Sequence, residues 1–156
     1  MSTRILHGER IGRLGRLRVG SSAVIFDSAR EKVLLTRRVD NDLWCLPSGG
    51  MDPGESAAET CVREVLEETG LAVSVTHLIG VYTSPNWLIE YPDGSRVQMV
   101  AFCFEVEILS GELGTSDEVS ELGYFSFAEI EQLNLMANHR QRILDAFEDQ
   151  REAFIR

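Results

Sequence analysis

Residues 49–71 read GGMDPGESAAETCVREVLEETGL, and the punctuation of this stretch decides what can be built around it. Pro47 to Glu55 (PSGGMDPGE) concentrates glycine and proline. Proline lacks a backbone donor and glycine resists ordering, so a loop without regular structure is expected there. Ser56 follows as an N-cap, and Glu59 three residues later completes an S-x-x-E capping box. Gly70 suits a left-handed C-terminal cap. A helix is therefore predicted over 57–69.

That helix carries Arg63, Glu64, Glu67 and Glu68. A helix turns about 100° per residue, so with Glu64 at zero, Glu68 falls at about 40° and Glu67 at about −60°. The three carboxylates share one face, while Cys61, Val62 and Val65 are among the residues on the other, free to pack on a sheet. Like charges at these spacings repel and weaken a helix. A bare acidic cluster is usually a solvated face. Here it follows a glycine loop, Arg63 stands one turn before Glu67, and both helix ends are capped. Hard carboxylate oxygens in this pattern suit Mg²⁺ or Mn²⁺, which also accept water and substrate phosphates as ligands.

Outward from the helix, residues 18–27 and 31–38 are rich in Val, Ile and Leu and flank the turn Asp27 to Arg30, which predicts a hairpin. Trp44-Cys45-Leu46 is a short apolar piece. Residues 71–83, 97–108 and 122–125 read as strands, and Tyr91-Pro92-Asp93-Gly94 carries turn chemistry. Residues 138–154 look helical, with Ile143, Leu144, Ala146, Phe147 and Phe154 available for an apolar stripe. Strands, helix, strands, helix predicts a mixed α/β or α+β sandwich. The expected organisation is a single domain over 1–156, with 1–17 as an N-terminal extension and a C-terminal helix over 136–156.

The chain has 156 residues, a net charge of −10 and 26% charged residues. Such an acidic surface is unsuited to duplex nucleic acid, and a polyphosphate ligand needs intervening cations. Cys45, Cys61 and Cys103 show no metal-ligand spacing, so reduced, partly buried thiols are expected. The Arg-rich start lacks the apolar run of a signal peptide, and no stretch is long enough for a membrane span. A soluble cytoplasmic protein is the expectation.

The run Gly49-x5-Glu55-x7-Arg63-Glu64-Val65-x-Glu67-Glu68-x-Gly70-Leu71 fills every fixed position of the Nudix box, G-x5-E-x7-R-E-U-x-E-E-x-G-U, and so resembles the Nudix (MutT-like) hydrolases. Leu34 to Arg38 and Trp44 to Pro47 resemble the LLxxR…WxLP segment before the box. Glu118, Glu121, Tyr124 and Phe125 resemble the acidic loop and aromatic strand after it. The likeness covers about 18–135.

The resemblance implies an α/β/α sandwich with a mixed sheet, and hydrolysis of a diphosphate linkage in a nucleoside diphosphate derivative, such as a (d)NTP or an ADP-ribose-like molecule. It implies Glu64, Glu67, Glu68 and the Ser48 carbonyl as ligands for Mg²⁺ or Mn²⁺. Gly49, Glu55, Arg63 and Gly70 become motif scaffolding. Glu64, Glu118 or Glu121 becomes the proton acceptor, with Glu118 ahead of Glu121. Relatives commonly dimerise, so a homodimer is also implied. Arg37 or Arg38 could meet a substrate phosphate or simply end a strand in solvent. Trp87 and Tyr91, placed in a loop, could stack on a base or pack elsewhere. His7, His77 and His139 are scattered, which favours surface or core roles. The competing reading is a non-catalytic Nudix-fold module that binds a nucleotide for regulation.

Overall fold

The computed structural model describes residues 2–156. The strands are β1 (Arg4–His7), β2 (Arg16–Val24), β3 (Lys32–Arg38), β4 (Trp44–Cys45), β5 (Ser48–Gly50), β6 (Leu71–Tyr82), β7 (Trp87–Glu90), β8 (Arg96–Gly111), β9 (Val119–Ser126) and β10 (Phe154–Ile155). The helices are α1 (Ala57–Thr69), α2 (Phe127–Ile130) and α3 (Ala137–Phe147), with a 3₁₀ turn at Ile11–Leu14.

The long β8 is the spine of the larger sheet. Along one edge β2 runs parallel to it, from Arg16 opposite Val97 to Val24 opposite Glu105. Its other edge is shared by β7 and β6, both antiparallel. β1 extends β7, β5 pairs with β2, and β10 runs parallel to β6. A second, three-stranded sheet is ordered β4-β3-β9.

Side chains alternate across a strand, so a sheet covered on both faces reads as an unbroken apolar run. Ala23 and Ile25 face the core that holds Cys61 and Val65 of α1, whereas Val24 faces the core that holds Ile143 and Ala146 of α3. The same alternation divides Leu34 from Val33 and Leu35. Helices therefore close the strands from opposite sides, and the architecture is the mixed α+β sandwich expected. Each fully buried Leu, Ile or Val contributes roughly 1.5–3 kcal/mol.

Five local expectations need correcting. The 18–27/31–38 hairpin exists only at its tip, where Phe26 bridges Val33; β2 and β3 then diverge into different sheets, because the outer edge of β2 is taken by β5. The loop 47–55 is not wholly irregular, since Ser48–Gly50 pairs with Gly20 to Ser22 of β2. The C-terminal helix stops at Phe147, and Phe154–Ile155 is a strand against Gly80 and Val81. The segment 1–17 contributes β1, the 3₁₀ turn and the start of β2, so it belongs to the sheet rather than trailing from it. Trp87, read from sequence as a loop residue, opens β7. Among the described residues no helix is long and apolar enough to cross a membrane.

Candidate active site

The site is assembled where β5 meets the start and outer face of α1. The capping box is formed in full: Ser56 Oγ accepts from the Glu59 amide, and the Glu59 carboxylate accepts from the Ser56 amide. Gly70 adopts φ 79°, the left-handed conformation that only glycine enters without strain. These two ends hold α1 to the length that places its acidic residues over β5.

The antiparallel ladder between β2 and β5 turns every second backbone group of β5 away from β2. Ser48 is in such a pair with Ser22, and its amide donates instead to Glu68 Oε2 at 3.1 Å. By the same ladder geometry the Ser48 carbonyl also points away from β2. Gly49 lies directly under Glu64: a Cβ there would fall 2.1 Å from the Glu64 carboxyl group. A side chain at position 49 would thus displace the Glu64 carboxyl group, so the box glycine serves close contact rather than a left-handed backbone.

Arg63 organises the motif. It donates from Nε to Glu55, from Nη2 to Glu55 Oε2 and the Gly50 carbonyl (both 3.0 Å), and from Nη1 to Glu64 Oε1 (2.8 Å) and Glu67 Oε2 (3.3 Å). Glu55 also accepts from the Asp52 amide and Thr60 Oγ1. The Arg63 bond, with these donors, holds the Glu55 carboxyl down at about 2. Glu64 is raised, chiefly by burial and against the pull of Arg63. Burial pushes Glu68 up to about 8, against the Ser48 amide and reinforced by the charge of Glu64.

Among the described residues no three ligand side chains are already closed around one point. Arg63 bridges Glu64 and Glu67 through one nitrogen and offsets part of their mutual repulsion. The donor set nonetheless fits a hard divalent cation. Glu64 and Glu67 line an open cleft of about 320 Å³ with Ser48, Gly49 and Glu118. Glu68, only 6% exposed, lies beneath it with no cationic partner among the described residues.

The other expected residues divide. Glu118, Arg38 and Tyr91 line the cleft. Arg38 is bound there to Asp40 through two hydrogen bonds. Arg37 and Glu121 pair with each other across β3 and β9, and Arg37 also binds Asp42, so neither reaches the cleft. Trp87 lines a second cavity of about 400 Å³ adjoining the first. Sequence reasoning missed Arg18, Asn138 and Arg142, which also line the cleft, and gave His139 no site role. A signal existed for the last two: His139 and Arg142 share the stripe of α3 that contains Ile143, where a charged side chain is out of place unless something binds it.

A NUDIX domain model matches residues 16–147. An ADP-ribose pyrophosphatase of Methanocaldococcus jannaschii is 33% identical over 105 residues, which are 65% of this chain and 59% of that enzyme. A Nudix hydrolase of Bacillus subtilis, YvcI, is 30% identical over 115 residues, 74% of this chain and 70% of that protein. The chain spans about half the length of the first curated relatives it matches, 43% and 59%. A solved NUDIX hydrolase from Nitrosomonas europaea superposes with a TM-score of 0.71 at 25% identity, covering 89% of this chain and 94% of that one. With its box filled at every position and the expected sandwich formed around it, the chain belongs to the Nudix family.

Proposed function

We propose that the protein hydrolyses the diphosphate linkage of a nucleoside diphosphate derivative, a nucleoside triphosphate or an ADP-ribose-like molecule, with Mg²⁺ or Mn²⁺ held by Glu64, Glu67, Glu68 and the Ser48 carbonyl. The observation that carries this reading is the gathering of Glu64 and Glu67 on one cleft wall with Ser48, whose amide donates to the buried Glu68 carboxyl group behind it. The relative named as an ADP-ribose pyrophosphatase supports the substrate class.

A bound divalent cation neutralises the diphosphate and acidifies an attacking water. Glu118, which lines the cleft, would take the water's proton; Glu121 is paired with Arg37 and does not line the cleft, which argues against it. Arg63 keeps Glu64 and Glu67 oriented through a guanidinium anchored on Glu55. Arg18, which also lines the cleft, offers a cation to the substrate phosphates.

The test is a panel of nucleoside diphosphate derivatives with Mg²⁺ and with Mn²⁺, followed by release of phosphate and mononucleotide. Metal-dependent turnover is expected. Glu68→Gln should abolish it, and Glu118→Gln should lower kcat on the order of a hundredfold or more, while Glu121→Gln should leave it near wild type. Nucleotide binding without turnover across the panel would instead favour a regulatory module.

A further inference from the structure

Arg142 is only 4% exposed and makes no ion pair among the described residues. Its neighbours do not supply one. Asp145, three residues on along α3, is spent on Arg156, Tyr82 and Gln141. Arg142 Nη1 donates to Ser22 Oγ at 3.5 Å, and its Nε finds no hydrogen-bond partner among the described residues. The Tyr82 ring lies 5.7 Å from the guanidinium carbon, but a buried guanidinium without a counter-charge remains costly, which makes it a place to look for a ligand.

The second neighbour sharpens this. His139 Nδ1 accepts from the Leu46 amide at 3.2 Å, so a neutral ring must carry its proton on Nε2. Burial and the nearby charges of Arg142 and Arg38 keep the ring neutral. Nε2 faces Arg142 Nη1 at 3.4 Å. Both groups are donors, so they cannot satisfy each other. Standing 3.4 Å apart, the two donors could share one acceptor. Beside them, Asn138 Oδ1 is buried and has no partner among the described residues.

The location is as specific as the chemistry. Asn138 and Arg142 line both the metal-site cleft and the adjoining 400 Å³ cavity, as do Ile89 and Met99. That cavity is walled by Tyr82, Trp87 and Leu144, apolar and aromatic surface suited to a planar ring. A ligand with its diphosphate over the carboxylates can thus extend a ring past this cluster.

We propose that Arg142, His139 and Asn138 are specificity-determining residues that recognise the keto–lactam edge of a nucleobase, a carbonyl oxygen adjoining a ring N–H. This deepens the reading above and rests on it for the placement of the diphosphate. Two neighbouring donors need an acceptor with two lone pairs. A carbonyl oxygen has them, whereas a ring nitrogen such as that beside the amino group of adenine has one. A phosphate oxygen could meet the two donors, but it brings no N–H to the Asn138 carbonyl. The lactam edge satisfies all three groups, and the base must then be a hypoxanthine, guanine or uracil type rather than adenine or cytosine.

Calorimetric titration of the Mg²⁺-loaded protein with inosine and adenosine monophosphates tests this directly. The pair differs at the edge in question, and neither contains a diphosphate to cleave. Inosine monophosphate is expected to bind roughly tenfold to a hundredfold more tightly, with the same preference for uridine over cytidine monophosphate. Arg142→Met should erase the preference while its Tm holds or rises, since an unpaired buried charge is removed. Equal binding of the keto and amino partners by wild type overturns the proposal, and this comparison needs no variant. So does an unchanged preference in Arg142→Met, or an Arg142→Met defect confined to inorganic phosphate or pyrophosphate, which would make the cluster an oxyanion site. Absence of hydrolysis in the earlier panel, with keto selectivity intact, would refute the catalytic reading alone.

Discussion

Glu55 and Glu68 are both acidic residues of one motif, yet their surroundings drive them in opposite directions. Glu55 accepts from Arg63, Thr60 and the Asp52 amide, and its carboxyl sits at about 2 against an ordinary 4.5. A carboxyl more acidic in the folded than in the unfolded chain stabilises the fold above the unfolded value, and that contribution disappears as pH falls through the folded one. Glu55→Gln should therefore be destabilising near neutrality, with the gap from wild type closing between about pH 4.5 and 2; melting both proteins across that range checks it, and a constant gap would refute it. Glu68 has one backbone amide and no cation, so its burial is a cost in the metal-free state. Glu68→Gln, melted in chelator, should gain on the order of 1–3 kcal/mol even as turnover is lost. The sequence ranked Glu118 ahead of Glu121 only by resemblance, and the physical reason for the choice lies in the fold. It depends on Glu121 facing Arg37 across two strands, and the partner of a strand is set by the whole sheet.

At the scale of elements, α1 was legible to the residue because its signals are local. A capping box and a left-handed glycine act within one turn of the helix ends, and the helix spans Ala57–Thr69 as expected. β5 was illegible for the converse reason: Ser48–Gly50 has no strand-forming composition and is ordered by the β2 edge. The β2–β3 turn carried a true local signal, but sheet membership overrode it beyond Phe26 and Val33. The caps make a quantitative expectation. Ser56→Ala should cost about 1 kcal/mol. Gly70→Ala should cost more, because φ 79° strains an L-residue by about 1–2 kcal/mol and the new Cβ would also meet the Glu112 carbonyl at 2.5 Å. Urea denaturation of the two variants should preserve this order; equal losses would mean that the helix end relaxes freely.

Across the whole molecule, the decisive feature is that consecutive residues of one strand feed cores on opposite sides. Leu34 belongs to the core under α1, and Leu35 to the core under α3, which also contains Trp44, Leu46 and Ile143. Both side chains are fully buried. The apolar run of β3 indicated burial but not this division, since nothing in the sequence says where α3 returns. The division bears on the site, because the α1 core supports the carboxylates and the α3 core supports Asn138, His139 and Arg142. Leu34→Ala and Leu35→Ala should each cost about 2–5 kcal/mol. With the two side chains in separate cores, the double variant should lose nearly the sum, within about 0.5 kcal/mol. Their functional effects should separate as well: Leu34→Ala weakening Mg²⁺ binding at the cleft, Leu35→Ala weakening nucleoside binding beside α3. Urea unfolding and calorimetry on the three variants measure both. A large coupling energy, or matching losses in metal and nucleoside affinity from either change, would show that the two cores respond as one and that the site is not supported from two independent sides.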